Sequence, residues 1–516
     1  MGLGRFGGGV DTAKFASNSA AKVIVTDLAQ PEKLTNSIQE LEDFPNIEFH
    51  LGYHDEKDFV TSDYVIANPA VPGDNNFLEI ARSAGKHVTS QINIFFELCP
   101  AKIIGITGAN GKSTTTSLTG HLLRTQNTEY RIQNEENHPQ ASLEAATLNT
   151  SHEKRAASDD NVIASEAKQS PTTQYSILSA QYENVWLTGN IGNQPFLTAL
   201  DKIKPDDLVV IELSSFQIEQ LAKFKNSPDI ALLTNLTPNH LDRYGTFEKY
   251  CDAKETLFEY QKLDENNPVI SIFNAEDEIA CKWYDKYKND KGRKCIKYSA
   301  DDVTEDISNC YKLPGRANLS NLAAALSIVR IFGVTDESIK KSLPEFKALS
   351  HRLELVEEKN GVQWYNDSKA TTPEGAITAL NAFDKPIILI AGGYDKNLPF
   401  DKLAEIIIEK TKAAILIGQT AHTIAKAIED KRKTSNVWHP QAKLGNGYLK
   451  RVTRDESQET KVEIVNTLSD AVKLAYDIAR PGDIVLLSPA CASYDMFENY
   501  EQRGHQFTEL VTSLNK

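Results

Sequence analysis

The chain has 516 residues, 40% of them hydrophobic and 25% charged, and a formal net charge of −15. That length exceeds what one hydrophobic core organises, so about three domains are expected. The acidic balance excludes a nucleic-acid partner, which needs a clustered basic surface to neutralise phosphates. Six scattered cysteines, with no C-x-x-C pair, predict free thiols in a reducing compartment rather than a disulfide or zinc framework. With no basic-then-apolar leader and no apolar run near ~18–20 residues, a cytoplasmic protein without a membrane partner is expected.

The first region, residues 1–97, alternates glycine turns, short apolar strands and amphipathic stretches. Lys22–Asp27 and Asp63–Ala67 read as buried strands of an α/β unit. Gly2-x-Gly4-x-x-Gly7 matches a dinucleotide-binding fingerprint, and Asp27 ends the next strand at about the ~20-residue spacing such sites use. The loop begins at the second residue, so the strand that feeds such a turn does not precede it in this sequence. Either the start was assigned late or the domain lacks a central strand.

The second region, 98–349, opens with the strand Lys102–Thr107, which runs into Thr107-Gly-Ala-Asn-Gly-Lys-Ser-Thr114 and then a helix from Lys112 to about Arg124. The strict G-x-x-x-x-G-K-[ST] pattern would want glycine at 106, where isoleucine stands, yet the working parts remain. Glycines 108 and 111 let backbone amides approach phosphate, Lys112 neutralises charge, and the Ser113 hydroxyl can reach Mg²⁺. From about 127 to 174 the chain turns polar, and we expect an insertion that loops out, with some helix near Ser142–Ala146. Order resumes with strands at Asn184–Thr188, Asp207–Glu212 and Ile230–Asn235, the signature of a mostly parallel sheet. Glu212 closes a strand beside the phosphate loop, where a carboxylate serves a magnesium ion. His240, with Asp242 and Arg243, lies on the loop after the next strand, where an imidazole can bind a metal or a phosphate-bound water. Asn318 and Asn321 open a later helix, and Asn318 reads as its N-cap. Lys254 reads, from local sequence, as a solvated helix residue.

The third region, 350–516, has strands at Pro386–Ala391, Ala413–Gly418 and Asp483–Ser488 and is Rossmann-like in size. Asn366–Thr371 is a dense polar cluster, which reads equally as a site or as a solvated turn. Cys491 has no histidine at a recognisable spacing and reads as packing.

Taken together, TGANGKST (107–114), TGNIG (188–192), IELSSFQIE (211–219), TNLTPNHLDRY (234–244), LPGRAN (313–318), HRLE (351–354), NDSKATTPE (366–374), AGGYDK (391–396) and SPACASYDMFENYEQRG (488–504) resemble the Mur ligases. The closing segment is similar to that of the D-glutamate-adding branch. The resemblance implies an α/β protein of three domains: a Rossmann-like N-terminal domain, a central P-loop ATPase domain and a Rossmann-like C-terminal domain. It implies ATP and two Mg²⁺ ions as cofactors, and UDP-N-acetylmuramoyl-L-alanine and D-glutamate as substrates, joined in peptidoglycan precursor synthesis by a monomer that closes its domains. It places Gly108, Asn110, Gly111, Lys112, Ser113, Thr114, Asn321, Arg352, Asp367 and Lys369 at ATP. It places Ser113, Glu212, His240 and Lys254 at the metals, with Lys112, His240 and Lys254 catalytic and Lys254 carried as a carbamate. Asn190 and His240 fall on the muramoyl side; Thr371, Lys396, Ser493, Tyr494 and Tyr500 fall on the D-glutamate side. The competing readings are an NAD-dependent oxidoreductase using Gly2–Gly7 and a catalytically inactive nucleotide-binding homologue.

Overall fold

A computed structural model describes residues 1–4, 7–137, 182–191, 196–435 and 460–514. The chain divides into two compact units, one of Met1–Cys310 with Ser320–Pro344 and one of Tyr311–Leu319 with Glu345–Lys516.

In the first unit, β1 (Val23–Asp27) pairs in parallel with β2 (Ile47–Leu51), and β3 (Tyr64–Ala67) with β4 (His87–Ser90). Met1 and Gly2 run between these two ribbons: the Gly2 amide donates to Thr26, and the Asn68 amide donates to the Met1 carbonyl. The segment that should feed the glycine loop is thus represented by two residues that bond to both ribbons. The helix Gly8–Ser19 follows directly.

The main sheet of this unit is built from β5 (Lys102–Thr107), β6 (Val185–Gly189), β7 (Leu208–Glu212), β8 (Ile230–Leu233), β9 (Val269–Asn274) and β10 (Arg293–Tyr298). Its order is β10-β9-β8-β5-β7-β6, and every pair is parallel. β7 and β8 are buried along their whole length. Such apolar runs suit a sheet covered on both faces. From β5 the chain goes first to one side, to β6 and back to β7, and then crosses to β8 on the other side. The crevice at their carboxyl ends is therefore a topological switch point, where open α/β sheets bind ligands.

The helix begun by Lys112 runs to Asn137, past the expected end near Arg124. Residues 127–137 contain no glycine or proline and several good helix formers, so nothing in that polar stretch stops the hydrogen-bond ladder. The expected loop therefore begins later than residue 127; residues 138–174, with the helix expected near Ser142–Ala146, lie outside the described residues.

In the second unit β11 (Glu354–Lys359), β12 (Val362–Asn366), β13 (Ile387–Gly392), β14 (Thr411–Ile417), β15 (Lys461–Ile464) and β16 (Ile484–Leu487) form one sheet in the order β11-β12-β16-β13-β14-β15. Only β11 runs antiparallel to its neighbour. Apolar layers cover both faces, one around Leu389, Leu403 and Ile424 and the other around Trp364, Ile415 and Phe507.

Candidate active site

Three loops meet at the switch point of the first unit. β5 ends in the phosphate loop, where Gly108 (φ 148°) and Gly111 (φ 82°) take conformations that exclude a side chain. A Cβ at Gly108 would come 1.9 Å from the Thr234 hydroxyl, and one at Gly111 would come 2.1 Å from Asn321 Oδ1. The loop is held from β8: the Ala109 amide donates to the Asn235 carbonyl at 2.8 Å, and the Asn110 amide to Asn235 Oδ1 at 3.0 Å. Those two amides are occupied inside the protein, and the helix opens just beyond them, at Lys112. Lys112 Nζ donates to the Ala109 carbonyl at 3.0 Å. Ser113 and Thr114 are buried beneath the turn. Thr115 donates to Asn321 Oδ1 at 3.5 Å, which brings Asn321 to the loop.

Glu212 closes β7, with its carboxylate buried to 1% exposure. Asn190 Nδ2 donates to Oε1 at 3.1 Å, while Oε2 has no hydrogen-bond partner among the described residues. An orphaned buried carboxylate oxygen is costly unless something else satisfies it.

Lys254 lies on the helix Phe247–Glu259 with 1% exposure, so the solvated reading is overturned: the helix turns this face inward, onto β5. Its Nζ donates to the Thr107 hydroxyl at 3.0 Å and sits 5.1 Å from the Tyr250 ring centre. Burial, and then the Lys112 charge, hold its ammonium well below the ordinary lysine range, with Glu212 opposing. Lys112, Glu212 and Lys254 thus share one electrostatic neighbourhood.

His240 joins through Tyr250. Its backbone is left-handed (φ 52°), it precedes the short helix Leu241–Tyr244, and its exposed ring stands 4.9 Å from Phe216 and 6.5 Å from Tyr250. The neighbouring Arg243 is engaged elsewhere, paired with Glu219 at 2.6 Å and stacked over Phe216.

The residues present fit magnesium. Glu212 offers an unsatisfied buried oxygen, Ser113 a buried hydroxyl, His240 an exposed imidazole, and Lys254 a buried amine beside them. No group of three or more His, Cys, Asp and Glu side chains with metal-site geometry occurs among the described residues. The set therefore depends on serine and lysine positions for completion.

A separate cluster forms at the carboxyl ends of β12 and β16 in the second unit. Asn366 and Ser368 are fully buried and Asp367 nearly so; the solvated-turn reading of this segment fails because β16 and the last helix cover it. Asp367 accepts from the Ser488 hydroxyl at 2.9 Å and the Leu353 amide at 3.2 Å, and burial pushes its carboxyl up to about 7. Arg352 precedes Leu353 on this turn, and Lys369 is exposed with Nζ 5.0 Å from the Tyr500 ring centre. The Thr371 amide donates to the Lys369 carbonyl. Ser493 is buried, whereas Tyr494 and Lys396 are exposed, Tyr494 edge-on to Tyr394. Arg503, 1% exposed, binds both loops: Nε and Nη2 donate to Ser368, and Nη1 to the Cys491 and Ala492 carbonyls. Cys491 is buried, its thiol pushed up to about 11 by desolvation.

Two further readings change. Asn318 lies inside the helix Arg316–Val329 and donates its side-chain amide to the Pro314 carbonyl, so it does not cap the helix; Gly315 and Arg316 already begin that turn. Asp27 accepts the Gly4 amide of the glycine loop at 3.0 Å and the Ala29 amide of its own turn at 2.8 Å. These bonds give Asp27 a bracing role between the glycine loop and its own turn, one that does not call for NAD. Gly2, Gly4 and Gly7 do have the positive φ such a loop needs; Arg5 and Phe6, like Gly192, lie outside the described residues. Asn235 and Arg503 were not singled out in the sequence, since an asparagine after a strand and an arginine on a helix carry no local signal; Thr107 was read as the start of the phosphate loop, not as a partner of Lys254.

A P-loop at a parallel-sheet switch point, facing a buried carboxylate and a buried lysine, defines a nucleotide-dependent α/β enzyme. Family models describe residues 161–329 as a Mur ligase middle domain and 351–491 as a Mur ligase glutamate ligase domain. UDP-N-acetylmuramoylalanine–D-glutamate ligase of Roseiflexus sp. (strain RS-1) is 35% identical, over 100% of this chain and 98% of that one. The ligase of the same name from Clostridium tetani is 33% identical, over 97% and 93%. The fold is similar to that of UDP-N-acetylmuramate-alanine ligase MurC from Thermotoga maritima, with a TM-score of 0.51, 16% identity, and coverage of 99% of this chain and 98% of that one. The chain belongs to the Mur ligases, in the UDP-N-acetylmuramoylalanine–D-glutamate ligase family.

Proposed function

We propose that the protein adds D-glutamate to UDP-N-acetylmuramoyl-L-alanine at the expense of ATP, as a step of peptidoglycan precursor synthesis in the cytoplasm, acting as a monomer. Among the described residues no helix is long and apolar enough to cross a membrane, which agrees with small soluble substrates. The observation that carries the site assignment is the convergence of Lys112, Glu212 and Lys254 at the end of β5.

The reaction is read as two steps. The substrate carboxylate takes the γ-phosphoryl group of ATP, giving an acyl phosphate. The D-glutamate amine then attacks that carbonyl and phosphate leaves. Phosphoryl transfer asks mainly for positioning and charge neutralisation. Gly111 and the residues after it cradle the phosphates, Lys112 neutralises them, and Asn321 braces the turn. Magnesium, held by Ser113, Glu212, His240 and a carbamate on Lys254, would supply Lewis-acid stabilisation of charge on the transferring group. Burial and the Lys112 charge favour the neutral amine of Lys254, the form that reacts with CO₂, which supports the carbamate reading. Asn190 and His240 orient the muramoyl substrate. In the second unit Arg352, Asp367 and Lys369 serve ATP, while Thr371, Lys396, Ser493, Tyr494 and Tyr500 take D-glutamate. The domain division follows: 1–97 for the UDP substrate, 98–349 for ATP and 350–516 for the amino acid.

The test is phosphate release from ATP by the purified chain. Release only when UDP-N-acetylmuramoyl-L-alanine and D-glutamate are both present supports the reading; release with either alone, or none with both, refutes it.

A further inference from the structure

The turn that carries His240 has an unfavourable backbone shape. His240 is left-handed at φ 52°, and its carbonyl accepts the amides of Arg243 and Tyr244, each at 3.0 Å. A residue other than glycine stays in that region only where its surroundings hold it there, and such places cluster at functional sites. The grip comes from Arg243, three residues on. Its guanidinium lies 4.0 Å from the centre of the Phe216 ring, donates to Glu219 at 2.6 Å and reaches the Pro69 carbonyl at 3.5 Å. The His240 ring meets the same Phe216, at 4.9 Å.

Phe216 and Glu219 stand three residues apart on the helix Ser215–Ala222, and so on one face of it. That helix is tied closely to Glu212, with only Leu213 and Ser214 between. Leu213 is bonded to β5 twice: its amide donates to the Ile106 carbonyl at 2.9 Å, and its carbonyl accepts from the Thr107 hydroxyl at 2.9 Å. Ser214 closes a capping box with Gln217. The helix is therefore a stiff arm leading from Glu212, and Arg243 is fastened to that arm. Tyr244 also approaches Phe216, at 6.3 Å, but apolar packing has no preferred direction. A charge-assisted bond and a stacked guanidinium do have one.

We propose that Arg243 is a positioning residue: it clamps the His240 turn to the helix that follows Glu212, and so keeps the imidazole in register with that carboxylate. This rests on the functional reading above, in which both groups serve magnesium. Arg243 itself touches no reacting atom. Both partners of the Arg243–Glu219 pair are partly open to solvent, and such pairs contribute little to stability. Loss of the clamp is therefore read at His240 rather than in the fold.

The test has two readouts on the full-length protein. One is the His240 ring signal in the magnetic-resonance spectrum of histidine-labelled protein, assigned by its absence from His240→Gln. The other is the Mg²⁺ concentration giving half-maximal amide formation. In Arg243→Gln, which removes the cation, the His240 signal should move by more than its wild-type line width. Half-saturating Mg²⁺ should rise fivefold or more, with KM for D-glutamate within twofold of wild type. Arg243→Lys, which keeps the cation, should recover at least half of both effects. Anything short of this overturns the proposal: an unmoved signal, an unchanged Mg²⁺ requirement, no rescue by lysine, or a D-glutamate KM that rises in step. Should Arg243→Gln fail to fold, Glu219→Gln removes the anchor alone; a moved signal with a few-fold higher Mg²⁺ requirement supports the proposal, and the lack of either overturns it. Wild-type protein that makes no amide refutes the functional reading instead, while the His240 signal is read without turnover, so the two failures are distinguishable.

Discussion

The Thr107 hydroxyl is fixed in direction: it donates to the Leu213 carbonyl at 2.9 Å and accepts from Lys254 Nζ at 3.0 Å. Because its proton is committed to β7's extension, only its lone pairs face the lysine. It therefore holds the nitrogen as a donor whether the group is an amine or a carbamate N–H.

Replacing this hydroxyl leaves a buried N–H without its acceptor, which costs about 1–3 kcal/mol. We expect Thr107→Val to lower the thermal midpoint and reduce ligase activity at least tenfold, and Thr107→Ser to recover most of both. Measuring activity against bicarbonate concentration checks the route: the valine protein should need more bicarbonate. An unchanged bicarbonate response would separate Thr107 from Lys254.

Glu212→Gln keeps the shape of the side chain but removes the charge beside Lys112 and Lys254. The Mg²⁺ concentration giving half-maximal activity should rise by at least the ~10–100-fold seen when metal-site partners are lost. Since Glu212 opposes the lowering of the Lys254 ammonium, its loss should also shift lysine modification at position 254 to lower pH. Titration of activity with Mg²⁺ at fixed ATP decides the first point.

Gly111→Ala places a methyl group 2.1 Å from Asn321 Oδ1, at a backbone φ of 82°. Strain of this kind costs on the order of 1–3 kcal/mol. Nucleotide binding, read by calorimetry, should fall more than overall stability. Adding Asn321→Ala relieves the collision but not the backbone strain, so the double variant should regain stability without regaining ATP affinity.

Asp367 gives a pH dependence. Its folded value near 7 lies above the ordinary 3.8 of an aspartate, because burial disfavours the charged form. The folded protein then binds the proton more tightly than the unfolded chain. The associated stability is fully present below about pH 4 and is lost as pH rises through 7; by the shift, the loss is about 4 kcal/mol. Without nucleotide, the unfolding midpoint should fall between about pH 4 and 7 and level off above. Asp367→Asn should flatten that slope, and a slope that persists would assign the titration to another group.

What was legible in the sequence was whatever left a local trace. Lys102–Thr107 could be bounded to the residue because an apolar run stops at a glycine turn. Glu212 could be placed because it ends another such run. β9 and β10 were passed over: Arg293–Tyr298 carries alternating charges that mask an otherwise ordinary strand. Lys254 was the hardest case, since a lysine in Lys249–Lys254 looks solvated until the fold shows which side of the helix meets β5. The commitment of Asp27 to Gly4, and of Asp11 to Leu197, depends on contacts across long stretches of chain, which no local pattern reports.

Arg503 has an implication for synthesis. The loops 367–371 and 488–493 are gathered by a guanidinium near the carboxyl end, on the final helix Tyr500–Ser513. On a ribosome that emits the chain from its amino end, the first unit can assemble while the second still lacks this fastener. Residues 367–371 emerge more than a hundred positions before the arginine that secures them, so these loops are joined only once position 503 has been made. Premature termination before position 503 would therefore spare the ATP crevice and leave these two loops untethered.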